Sequence, residues 1–225
     1  MILPQDPLRE FLYALALLSM VIATLGLTKI TYRLLTKLNL RHNVAVYYNR
    51  KIIHMLAGGV TALLVPYLFT SPLIPFLFAL LLGFIVYIPH RSRKLMTWFQ
   101  TSDNMYEVYF CFSWGFSLLI IWLATGNPYY AVVPPLFISF GDAVTGVIRN
   151  VVYGRRTKSW IGNLGMLAVT ILIGYLYARY PGLIAGIAST IAEHFEFAPH
   201  VDDNILITLV SSCVILVSFT LGFLP

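Results

Sequence analysis

The chain has 225 residues, 59% hydrophobic and only 11% charged, with a mean hydropathy of +0.80. A typical soluble domain is about a quarter charged, so this composition excludes one and predicts an all-α polytopic transmembrane helical bundle. Each span takes about 20 residues plus a connection, which gives a single integral membrane domain over residues 1–225 with about seven or eight spans. The formal net charge of +6 does not call for nucleic acid, because the cations are scattered between apolar segments and form no single solvated face.

Apolar windows fall at residues 11–28, 52–70, 73–88, 108–124, 131–148, 161–177, 183–192 and 205–224. The first has Asp6 and Glu10 ahead of it and no small-residue cleavage pattern behind it, so it reads as a retained span. The window at 183–192 is short for a span. If it crosses, the acidic loop of Glu193, Glu196, Asp202 and Asp203 returns to the side of the preceding basic loop. Cys111 and Cys213 lie in apolar stretches and read as packing residues.

Placing the amino terminus outside leaves only Arg9 and Arg179 on that side and gathers every other Lys and Arg on the opposite one. By the positive-inside rule the second side faces the cytoplasm. That suits the plasma membrane of a prokaryote or an ER-type membrane. Lys29, Arg33, Lys37 and Arg41 recur every four residues beside Ile30, Leu34 and Leu38. This patterning over residues 29–49 fits either an interfacial basic helix on anionic lipid or a plain extension of the first span.

Arg50-Lys51-Ile52-Ile53-His54 then opens the second span. His54 lies one turn inside the membrane on the face of both cations, where an ionisable group is costly and tends to be functional. Gly58 and Gly59 permit close packing against that face. Thr101, Ser102 or Asp103 can cap the fourth span, placing Asp103 and Glu107 one turn apart. Asp103 reads as an acidic helix start and Glu107, deeper, as a candidate catalytic group.

Residues 141–166 gather the richest chemistry. Pro134-Pro135 interrupts the fifth span, and the half-helix beyond it carries Asp142, Thr145 or Gly146, and Arg149 on one stripe. Asp142 is the only acid in that window, and an unpaired carboxylate there would cost several kcal/mol. It needs a metal, a cation or a proton. The following loop delivers Arg155, Arg156 and Lys158, then Ser159 at a helix cap with Asn163 one turn on. A helix amino terminus among cations is a seat for phosphate oxygens.

Arg50-Lys51-x-x-His54, with Gly141-Asp142-Ala143, Gly154 and Lys158-Ser159-x-x-Gly162, resembles the membrane-bound polyprenol kinase family. That family includes dolichol kinase, phytol kinase and the CTP-dependent diacylglycerol kinase, and is related to the CDP-diacylglycerol synthases, which share the late motif. The likeness covers roughly Arg50 to Met166. The chain departs from it at Ile161, where the family often has Glu, and at Arg149, where a glycine is common.

The resemblance implies transfer of the γ-phosphoryl group of CTP, with Mg²⁺, to an isoprenoid alcohol of the dolichol type. The expected roles are Asp142 for Mg²⁺; Arg50, Lys51, Arg155, Arg156, Lys158, Ser159 and Asn163 for the triphosphate; and His54 or Glu107 for the lipid hydroxyl. Two other readings stay open: a CDP-lipid synthase, which needs the same metal and cations, and a small transporter using Asp142 and His54 as a proton relay. The small residues Gly182, Ala185, Gly186 and Ala188 offer a packing face for a homo-oligomer.

Overall fold

The computed structural model describes residues 3–154, 157–195 and 201–224, so Arg155, Arg156 and Glu196 lie outside the described residues. Among these there are seven helices long and apolar enough to cross a membrane. They are α1 (Pro7–Lys37), α2 (His42–Leu68), α3 (Leu73–Ser92), α4 (Tyr106–Thr125), α5 (Pro128–Tyr153), α6 (Trp160–His194) and α7 (Asp203–Thr220). The protein is an all-α integral membrane bundle.

Helix α5 is the axis of the bundle. In its most apolar window 78% of the residues are buried, against 22% to 44% in the other six helices. Pro134 and Pro135 remove donors from its first half, and the helix proceeds through short turns and a π segment at Phe137–Gly141 before resuming regularly at Asp142. Val132, Val133, Leu136, Phe137 and Ile138 are fully enclosed. Helix α2 carries a matching π segment at His54–Gly59. The two π segments pack on each other: a side chain at Gly58 would meet Ser139, and one at Gly59 would meet the Phe140 ring. Each π turn widens its helix by one residue and leaves backbone groups displaced, a feature frequent at functional sites. Trp114 Nε1 on α4 donates to the Gly58 carbonyl at 3.2 Å.

The two helical windows at 161–177 and 183–192 belong to one element folded on itself. Within α6, Ala178 (φ −140°) and Arg179 (φ 52°, ψ −137°) leave the helical region, and Pro181 starts the second arm, where its missing N–H costs nothing. Gly174 and Gly182 then lie face to face, with no room on either for a Cβ before the other's carbonyl. Farther along, Thr170 Oγ1 donates to the Gly186 carbonyl at 3.2 Å and Asn163 Nδ2 to the Thr190 carbonyl at 2.9 Å. The pairs close like the teeth of an antiparallel hairpin. The short apolar window therefore returns the chain, and the acidic residues after it, to the end that holds Lys158. Gly182, Ala185 and Gly186 are consumed by this internal packing, which corrects the expectation that they face a second copy of the chain.

Residues 29–49 do not make one helix. Lys29, Arg33 and Lys37 are the exposed tail of α1, and the chain turns at Leu38–Arg41, with Asn39 at φ 60°, before α2 begins at His42. Residues 29–37 thus continue the first helix, and residues 42–49 open the second.

Helix α1 is held at both of its ends by polar contacts. Near the basic end, Asn49 Nδ2 donates to the carbonyls of Thr28 (2.7 Å) and Trp98 (2.8 Å), and Thr31 Oγ1 donates to Asn49 Oδ1 (2.6 Å). At the opposite end Glu10 Oε1 accepts from both the backbone N–H and the hydroxyl of Thr70.

The hairpin makes a topological prediction. In a Cys111→Ala/Cys213→Ala background, Val152→Cys and Phe195→Cys should react with a membrane-impermeant maleimide from the same face, and Tyr180→Cys from the opposite one. Labelling of the 180 and 195 positions from one common face would overturn the reversal at Ala178–Arg179.

Candidate active site

Helices α2 and α5 bring the early and late motifs together. Lys51 Nζ donates to Asp142 Oδ2 at 2.6 Å, and His54 Nδ1 lies 3.3 Å from the same oxygen. All three side chains are buried. An isolated buried carboxylate or ammonium would be strongly disfavoured, whereas the close pair offsets the loss of hydration. His54 also stacks on Phe110 of α4, ring centroids 4.0 Å apart. Gly146, one turn beyond Asp142, makes the approach possible: any Cβ there would collide with Lys51 and with the Tyr47 hydroxyl.

A cavity of about 710 Å³ opens above this cluster. Arg50, Lys51, His54, Asp142, Arg149 and Lys158 all line it. Arg50 packs over the Tyr106 ring, 4.5 Å from its centre. Acidic groups from the start of α7 complete the far wall, with Asp203 lining the cavity. Burial and the neighbouring Asp203 carboxylate push Asp202, just ahead of α7, up to about 7.

A second buried network braces the cavity. Arg149 makes a two-pronged ion pair with Glu193, Nη1–Oε1 at 2.8 Å and Nη2–Oε2 at 2.9 Å, and also donates to Asn163 Oδ1 (2.7 Å) and to the Ser159 carbonyl (3.0 Å). Lys158 Nζ reaches Glu193 Oε1 at 2.8 Å and its carbonyl at 3.0 Å. Asn163 Nδ2 adds a bond to Glu193 Oε2. Asn163 is enclosed, with its amide already engaged by the protein, while Ser159 caps α6 through Ile161 N and meets the Tyr153 hydroxyl at 2.9 Å. Ile161 is exposed; the carboxylate beside Lys158 comes from the hairpin's second arm instead. Sequence spacing could not announce Glu193, because it reaches the site only through the reversal at Ala178–Arg179.

Glu107 belongs to a third cluster. Its Oε1 meets His90 Nε2 at 2.6 Å and accepts from Gln100 Nε2 at 2.8 Å, while Oε2 is buried without a partner among the described residues. His90 was not a sequence candidate; it follows Pro89 at the end of α3, where it passes for a polar helix terminus. Asp103 is exposed, and its bond with Thr101 holds its carboxyl below the usual range.

No family model, curated protein or solved structure matches the chain.

Among the described residues no three His, Cys, Asp or Glu side chains converge as a metal site. Mg²⁺ needs less than that, since it is commonly held by one or two carboxylates plus substrate phosphates and water. Asp142 fits such a requirement, with Lys51 as its partner until phosphate oxygens compete for the ammonium.

Removing one member of the central pair should be costlier than removing both. Lys51→Met strands Asp142 and should destabilise the protein by about 3–5 kcal/mol in SDS-induced unfolding. Adding Asp142→Asn should restore most of that loss. A double variant no more stable than Lys51→Met would show that the pair is not what holds α2 against α5.

Proposed function

We propose that the protein is a lipid kinase of the polyprenol kinase type, transferring the γ-phosphoryl group of CTP to an isoprenoid alcohol at the cytoplasmic face of the membrane. The observation that carries this reading is the position of His54. It lies on the wall of the polar cavity beside Asp142 and equally on the wall of a purely apolar cavity within the bundle. A site with a cation-rich chamber on one side and a hydrocarbon chamber on the other suits a reaction between a charged, water-soluble donor and a membrane-dissolved acceptor.

Phosphoryl transfer asks chiefly for stabilisation of charge on the phosphate oxygens and alignment of the attacking oxygen. Arg50, Lys51 and Lys158 supply positive charge in the chamber, and Asp142 is the carboxylate that would hold Mg²⁺ delivered with the triphosphate. The metal would contribute charge neutralisation on those oxygens. The acceptor oxygen forms a bond to the γ-phosphorus as the bridging bond to the β-phosphate breaks and CDP departs. The hydroxyl proton passes to a neighbouring base, for which His54 and Glu107 are the candidates. The gathering of every Lys and Arg except Arg9 and Arg179 on one side supports a cytoplasmic orientation.

Purified protein supplied with Mg²⁺, a panel of isoprenoid alcohols and their monophosphates, and CTP labelled at the α or the γ phosphorus tests the reaction directly. Label should enter an alcohol from the γ position only. Label entering a lipid phosphate from the α position would replace the kinase by a CDP-lipid synthase, and no transfer from either would favour a transporter. Asp142→Asn should lower kcat by about 100-fold or more, the order of effect expected on losing one preorganised charge contact.

A further inference from the structure

The apolar cavity has features that a mere packing fault would lack. It is a narrow space of about 120 Å³ between α1 and the rest of the bundle. Its walls include Leu17 and Val21 of α1, Thr61 and Val65 of α2, Ala79 of α3 and Trp114 of α4. It runs from His54 to Phe69, fifteen positions along the chain, or about 22 Å at 1.5 Å per residue. That is most of the roughly 30 Å hydrocarbon thickness of a bilayer. Helix α1 is pinned above and below by the Asn49 and Glu10–Thr70 contacts, and the slot occupies the length between these pins.

One end of this slot is closed by two polar residues. His54 and Glu107 both line it, and Glu107 sits one helical turn before Phe110, the residue stacked on His54. His54 Nε2 and Glu107 Oε2 are both buried and lack a hydrogen-bond partner among the described residues. Buried polar atoms are almost always satisfied, so two such atoms at one end of a hydrocarbon slot mark a missing donor. Arg50 and Lys158 line the polar cavity but not this slot.

We propose that the slot is the acceptor site, holding one hydrocarbon chain alongside α1, and that Glu107 Oε2 takes the proton of a neutral hydroxyl at its polar end, with His90 positioning Glu107. This inference rests on the kinase reading for its reaction and on the cavity alone for its ligand. The balance is simple. The O–H bond of the lipid breaks as its oxygen bonds to the γ-phosphorus, the proton moves to Glu107 Oε2, and the bond pair of the β–γ bridge leaves with CDP. His90 and Gln100 both engage Oε1, which leaves Oε2 as the carboxylate oxygen without a partner among the described residues. A lipid phosphate brings two negative charges beside Glu107 and finds no cation in the slot walls.

The ligand half is tested without nucleotide. A diazirine-bearing C20 isoprenoid alcohol, photolysed with the wild-type protein in nanodiscs, should attach to residues 14–25 and 110–114, and excess unlabelled alcohol should compete while its monophosphate should not. Attachment elsewhere, or equal competition by the monophosphate, overturns the slot. Val21→Phe should raise KM for the lipid about tenfold and leave KM for CTP unchanged.

For the proton acceptor, Glu107→Gln should lower kcat by about 100-fold with little change in KM for the lipid. His90→Leu should fall likewise, while His90→Gln, which keeps a donor to Oε1, should stay within a few fold of wild type. A change confined to KM, or equal loss in both His90 variants, would leave the pair only a structural role and overturn this half. Slot labelling without any transfer from CTP would sink the kinase reading alone. Transfer from CTP with labelling elsewhere would sink the slot alone.

Discussion

The buried contact between Lys51 and Asp142 is the constraint around which the bundle is arranged. Neither charge is tolerable alone in the interior of an apolar protein, and they arrive from helices separated by 91 positions in the chain. Satisfying them fixes the rotation and depth of α2 against α5. The surrounding small residues follow from that requirement. Gly146 leaves space for the lysine stem, and Gly58 and Gly59 let the two π segments close on each other. The π turns place His54 as the first residue of one irregular segment and Asp142 as the first residue after the other. The site thus lies where the helices depart from regular geometry, and the departure brings its members within reach.

The second network solves a different problem. Arg149 alone would be an unpaired cation inside a membrane helix. Glu193 answers it with both oxygens, and Lys158 and Asn163 take the remaining lone pairs. For that to happen the chain has to turn back at Ala178–Arg179. The Gly174–Gly182 contact permits the close return, and the hydroxyls of Thr170 and Thr190 both meet the Gly186 carbonyl at the seam. The reversal and the arginine are therefore parts of one arrangement: without the second arm there is no Glu193, and without Glu193 the arginine is uncompensated. One consequence is that Lys158 and Asn163, expected from their place after a basic loop to bind phosphate, are members of a structural brace. Lys158 lines the polar cavity while touching Glu193, whereas Asn163 faces inward.

Composition and apolar periodicity were enough to give the bundle, the order of its spans and the basic end, because each depends on local properties of about 20 consecutive residues. That Asp142 needs a metal, a cation or a proton was legible from the cost of a lone carboxylate in an apolar window; that Lys51 is its partner shows only when α2 packs on α5. Three other features were hidden for physical reasons. The hairpin within α6 showed only as the break between the windows at 161–177 and 183–192, the second too short to read as a span; the backbone departure at Ala178–Arg179 that reverses the chain has no hydropathy signal of its own. Glu193 reads in sequence as one acid of a loop and becomes a ligand of Arg149 only after that reversal. His90 sits behind a proline at a helix end and shows its partner, Glu107, only when α3 packs on α4. Long-range pairing of this kind carries no spacing signal, since the partners are 17 and 44 positions apart.

The distribution of satisfied and unsatisfied groups separates architecture from chemistry. Arg149, Glu193 and Asn163 meet each other's hydrogen-bonding capacity almost completely, which is what a membrane interior demands of groups that never leave it. Lys51 and Asp142 meet each other but face an open, polar chamber, so either can exchange its partner for a solute at modest cost. His54 Nε2 and Glu107 Oε2 are buried without a partner among the described residues, His54 Nδ1 has only its 3.3 Å approach to Asp142 Oδ2, and both residues line the apolar slot. Bare buried atoms occur elsewhere in the fold, Glu10 Oε2 and Asn150 Oδ1 among them; what sets His54 and Glu107 apart is that they stand together at one end of the slot. The order runs from closed brace, through exchangeable ion pair, to buried atoms without a partner, and it follows the path from the polar chamber to the hydrocarbon slot. Donor and acceptor substrates of unlike solubility would meet along that path at His54.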